Sequence, residues 1–217
     1  MNQVQPFRFF TERRLVELTG LSARNLPELA TILHTVSGSS VFYHTHHEFL
    51  AHHFEKPVVY NDFAVWVREA LQEDALAERL AAVDLLAFTT IRQLREAILS
   101  LIESCMQSRN RDSRECLPDD EFHFCKSKSF ILPTGIVAQD PSDFFAKLPG
   151  ITTSSLYFHF LEARLRLGRP TNDFSHWLAS QGQLQLSHAI DQLDPYRLTL
   201  DELKDDLIQL GSKYGVC

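Results

Sequence analysis

The chain is short of nearly every feature that would assign it a chemistry at once. Its 217 residues include only 8 glycines, and they form no phosphate-cradling loop, no dinucleotide fingerprint and no G-x-S-x-G elbow. Positive charge is in deficit. Lysine and arginine number 21 against 28 acidic residues, a net charge of −7, which argues against a generic nucleic-acid binder with its broad basic face. No stretch approaches the ~20 apolar residues of a membrane span. The opening Met-Asn-Gln-Val-Gln-Pro has no signal-peptide core. The four cysteines, Cys105, Cys116, Cys125 and Cys217, form no C-x-x-C pair, which argues against a disulfide framework or a zinc cage. The expectation is a cytoplasmic protein without nucleic-acid or membrane partners.

What is present is a repeat. At an offset of 115 residues, Phe7-Arg8-Phe9 falls on Phe122-His123-Phe124, and Thr19-Gly20 on Thr134-Gly135. The same offset puts Ser39-Ser40-Val41-Phe42-Tyr43-His44 on Ser154-Ser155-Leu156-Tyr157-Phe158-His159. Over positions 7–50, 10 of 44 pairs are identical, where average residue usage gives roughly three. Farther on, Asn61-Asp62-Phe63-x-x-Trp66 recurs as Asn172-Asp173-Phe174-x-x-Trp177 at an offset of 111.

Each copy opens with a hairpin pattern. Apolar runs 7–10 and 15–18 flank the polar Thr11-Glu12-Arg13-Arg14, and 122–125 and 130–132 flank Lys126-Ser127-Lys128-Ser129. Asn25 and Asp140 suit helix N-caps, with Pro27 and Pro141 in the first turn. Apolar residues at helical spacing then mark about four helices per copy. The expected fold is α+β and predominantly helical: two pseudo-symmetric repeats, 1–103 and 122–217, each a β-hairpin followed by about four helices. The stretch 104–121, rich in Arg, Asp and Ser, reads as a charged linker.

The patterns Ser-Val-Phe-Tyr-His-Thr-His, Asn-Asp-Phe-Ala-x-Trp-Val and Ser-Ser-Leu-Tyr-Phe-His-Phe-Leu-Glu-Ala-Arg resemble a family of bacterial and archaeal soluble proteins of unknown function. The resemblance implies such an origin and supplies no activity, cofactor or catalytic residue.

Candidate sites follow from residue type and spacing. His44, Glu48 and His52 lie four apart on one helix face, where imidazole and carboxylate could hold zinc or iron. The competing reading is a polar helix face with no metal and no other cofactor, and that is the expectation. His44 and His159 occur in both copies; a half-buried histidine bonded to a backbone carbonyl competes with a paired catalytic or ligand-binding role. Asp62 and Asp173 are acid–base candidates or residues of a helix cap. Arg164, in the run with Arg166 and Arg169, is suited to gripping a phosphate or carboxylate, or to solvating a surface. The favoured function is a non-catalytic binding or regulatory module, its ligand a protein or small molecule. The alternative is a metal-dependent enzyme centred on the histidine-rich helix.

Overall fold

The phenylalanines that open each copy become the start of a long strand. In the protein, seen as a computed structural model, residues 5–51, 61–108 and 114–216 are described, with the side chains of all but 48–51. Strand β1 runs Phe7–Ala23 and β2 runs Phe122–Ala138, and the two pair in a two-stranded sheet. The hydroxyl of Thr19 donates to the Phe124 carbonyl at 2.6 Å and that of Thr134 to the Phe9 carbonyl at 2.8 Å, so the strands run antiparallel. The architecture is α+β and mostly helical, as expected.

The hairpin expected in each copy is instead one continuous strand. Thr-Glu-Arg-Arg and Lys-Ser-Lys-Ser lack the Gly, Asn or Pro that a tight turn uses. They are extended, and the strands run on through Gly20 and Gly135, which take φ of +76° and +81°. Those two positions need glycine, because a Cβ there meets the left-handed penalty.

The chain gathers into two compact units. The first joins residues 5–13 to residues 129–216; the second joins 14–51, 61–108 and 114–128. The opening residues of each strand therefore pack on helices from the other sequence copy.

In the second unit β1 leads to α1 (Leu26–Thr35), α2 (Gly38–Ala51), α3 (Asp62–Glu69), α4 (Asp74–Ala81) and α5 (Ile91–Ser108). Asn25 and Asn61 cap α1 and α3 by accepting backbone N–H bonds from Glu28 and Ala64. The core forms where Phe122 and Phe124 of β2 meet Phe63, with Phe122 stacked on Phe63 at 5.1 Å. Of the stretch read as a linker, 104–108 ends α5. Farther on, Cys116 is buried and its N–H bonds to the Arg24 carbonyl at 2.8 Å.

In the first unit β2 leads to α6 (Pro141–Lys147), α7 (Thr153–Phe160), α8 (Ala163–Leu167), α9 (Asp173–Ser180), α10 (Leu184–Asp191) and α11 (Leu200–Lys213). Asp140 and Asn172 cap α6 and α9 as Asn25 and Asn61 cap their helices. Phe7 and Phe9 pack against Phe144 and Phe174 at 5.3 to 6.3 Å between ring centres. Burying each such ring contributes about 1.5–3 kcal/mol, which makes these strand ends strong anchors. Among the described residues, no helix is long and apolar enough to cross a membrane.

Candidate functional site

Ser40 and His44 lie four apart on α2, so both side chains face the same way. They close on one residue of β2. The Ser40 hydroxyl donates to the Cys125 carbonyl at 2.6 Å, and the Cys125 N–H donates to His44 Nε2 at 2.9 Å. The other ring nitrogen, Nδ1, is 2.7 Å from Asp62 Oδ2, at the start of α3.

The first unit holds its own residues in the same bonds. Ser155 on α7 donates to the Phe10 carbonyl at 2.6 Å, and Phe10 N–H donates to His159 Nε2 at 2.8 Å. His159 Nδ1 is 2.7 Å from Asp173 Oδ2. Each histidine thus ties a strand to the start of a further helix, and each is buried: 4% exposed for His44, 2% for His159.

This geometry dictates the protonation state. A backbone N–H can only donate, so Nε2 must be the bare nitrogen and Nδ1 must carry the hydrogen it gives to the carboxylate. Both rings are neutral with a fixed tautomer. Burial, helped by the Arg166 guanidinium, pushes the His159 pKa down despite Asp173, which favours the neutral ring. Burial acts to raise the Asp173 carboxyl, but bonds from His159 and Arg166 outweigh it and hold it below its usual range. The sequence reading expects a backbone carbonyl as each histidine's partner; the structure supplies a backbone N–H and a carboxylate.

The chemistry of these pairs is correspondingly restricted. A general base needs a free Nε2, and here the strand occupies it. A metal needs a bare nitrogen, and His44 has both of its own engaged. Glu48 and His52 lie outside the described side chains; among the described residues no group of three His, Cys, Asp or Glu could hold a metal ion.

Each His–Asp pair lines an open cleft. In the first unit the cleft is about 650 Å³, with Phe10, Phe158 and Trp177 as apolar walls and Arg8, Arg166 and His176 as polar ones. In the second it is about 560 Å³, lined by Trp66 and Phe122 and by Glu69, Asp120, Glu121 and His123. The tryptophans are fixed by their indoles: Trp66 Nε1–H donates to Asp120 O at 2.7 Å and Trp177 Nε1–H to Gln5 O at 2.8 Å.

Asp62 and Asp173 sit one position after the capping asparagines, so they are free to bind the histidines rather than cap the helices. Arg164 lies on α8 away from the cleft walls; Arg166, two residues on, reaches them. Arg8 and His176 are lining residues that periodicity alone does not single out. Setting the copies side by side does, since they replace His123 and Val65.

The chain is similar to OrfY from the archaeon Thermoproteus tenax. The two share 28% identity and a TM-score of 0.83, over 98% of this chain and 97% of that one. No curated protein matches the sequence. Residues 4–211 match the family of unknown function DUF5752, and the chain belongs to that family.

Proposed function

We propose that the protein is a non-catalytic binding module built from an internal duplication, each unit presenting one cleft to a small molecule or a segment of a protein partner. One observation carries the reading. In both units the imidazole that an acid–base enzyme would use is neutral and has Nε2 filled by a strand amide. What remains at the surface is a walled cleft with fixed polar groups, the usual form of a ligand site. The recurrence of the Ser, His and Asp bonds in both units supports the duplication. The described cysteines, Cys105, Cys116 and Cys125, are free thiols, which supports a cytoplasmic setting. The archaeal neighbour supports a bacterial or archaeal family.

Imidazole ¹⁵N chemical shifts test it directly. His44 and His159 should each show a protonated Nδ1 and a bare Nε2, and His159 should titrate below the ordinary histidine value of about 6.5. A ring that carries its hydrogen on Nε2, or a His159 that titrates at or above the ordinary value, would return both residues to the acid–base role and overturn the reading.

A further inference from the structure

We propose that the cleft of the first unit binds a small organic anion, its carboxylate or phosphate held by Arg8, Arg166 and His176 and its apolar body laid against Phe10 and Trp177. The proposal rests on the reading of the protein as a binding module and adds the class of ligand.

The two clefts use corresponding positions and differ in charge. Where the second unit has Asp120, Glu121, His123, Val65 and Glu69, the first has Gln5, Pro6, Arg8, His176 and Ser180. With histidines neutral, the first cleft has two arginines against one aspartate, a net +1. The second has four carboxylates, Asp62, Glu69, Asp120 and Glu121, and no lysine or arginine, a net −4. In a chain whose net charge is −7, arginines gathered in a cleft run against the general surface. An anion entering the first cleft is attracted where the same anion at the second is repelled.

Arg166 is also held ready. Its Nη2 donates to the Phe158 carbonyl at 2.8 Å and to Asp173 at 2.7 Å, and its guanidinium lies 3.9 Å over the Phe158 ring. That fixes the plane of the group while Nε and Nη1 have no acceptor among the described residues. The side chains of Arg8 and His176 likewise have no partner among the described residues. A fixed guanidinium with open donors suits the two oxygens of a carboxylate or phosphate, and little rotamer freedom is left to lose on binding. Trp177, anchored through Gln5, supplies a rigid wall for a planar or aliphatic body.

The test uses the full chain labelled with ¹⁵N. Four probes of similar shape are titrated: phenyl phosphate, benzoate, benzyl alcohol and benzyltrimethylammonium. Phenyl phosphate or benzoate should bind saturably and shift the Trp177 indole resonance while leaving that of Trp66 in place; the stronger of the two identifies a phosphate or a carboxylate site. Arg8→Gln, at an exposed position, should keep the thermal midpoint and weaken the bound anion by about tenfold or more, the loss of one charge-assisted contact. Arg166→Gln should weaken it further. Equal or tighter binding of the alcohol or the cation, a shift at Trp66 in place of Trp177, affinity unchanged in both variants, or no saturation by any probe would each overturn the proposal. The tautomer measurement on His44 and His159 needs no ligand, so a failure here is distinguishable from a failure of the binding-module reading.

Discussion

Mild acid should destabilise this protein through the buried ring of His46. The side chain is 5% exposed, stacks on Phe42 at 4.7 Å and 11°, and has Nδ1 2.7 Å from the Thr45 hydroxyl. The Arg14 guanidinium lies 4.8 Å over the same Phe42 ring. Burial, reinforced by the Arg14 charge and only partly opposed by a backbone bond at Phe42, pushes the pKa of His46 down to about 3. In the unfolded chain it returns to about 6.5. Above that value both states are neutral and the ring has no effect on the balance. As pH falls between the two values, the unfolded chain takes up a proton that the folded one refuses. Stability then drops by about 1.4 kcal/mol per pH unit, reaching about 2 kcal/mol at pH 5. Urea unfolding of wild type and His46→Gln at pH 7.5 and pH 5 isolates the effect. The variant starts less stable because it loses packing, yet its own change between the two conditions should be smaller by about 2 kcal/mol. His159, also held neutral by burial, adds a loss of the same sign, but it is present in both proteins and cancels. Equal changes in the two proteins, within about 0.5 kcal/mol, would show that His46 is accessible to protons and that the burial argument is wrong.

Other outcomes follow from single contacts. Trp66→Ala removes a side chain 9% exposed and leaves the Asp120 carbonyl without its indole donor, so it should lower stability by about 3–5 kcal/mol in chemical denaturation. Gly20→Ala and Gly135→Ala meet no atom within 4 Å, so each should cost only the left-handed backbone penalty, about 1–2 kcal/mol, read in the same assay. Thr199→Ala breaks the capping box it forms with Glu202 at the start of α11 and should lower stability by about 1 kcal/mol. Elemental analysis of tag-free protein should find no stoichiometric zinc or iron; one equivalent, lost in Glu48→Ala, would promote the metal-dependent alternative.

Local signals in the sequence were readable because the interactions behind them are local. Asn25, Asn61, Asp140 and Asn172 each bond a backbone N–H three residues ahead, a pattern visible in any window of that length. The burial of Trp66 and Trp177 followed from their spacing after Phe63 and Phe174 on one helix face. The pairing of β1 with β2 was not readable. An alternating apolar and polar run fits a hairpin with its sequence neighbour as well as a ribbon with a strand more than a hundred residues away, and only the missing turn residues separate the two. The histidines were singled out by their recurrence. Their partners were not, because a backbone amide has no residue type: Cys125 and Phe10 are unlike, yet they fill the same role through N–H and C=O alone.

The assignment of residues 5–13 to the later part of the chain has a consequence for synthesis. The ribosome releases Phe7, Phe9 and Phe10 first, but the ring that receives the Phe10 amide is 149 residues downstream. Until β2 and α6 emerge, this apolar segment has none of its native partners from the later part of the chain and is a ready target for a chaperone or for another nascent chain. Folding must close a loop longer than half the protein before the aromatic cluster of the first unit is complete, which slows it relative to helical proteins of local topology. A fragment ending after the first sequence copy would keep α1 to α5 but lose Phe122 and Phe124 from its core, so cutting the chain at its midpoint yields two incomplete pieces rather than two domains.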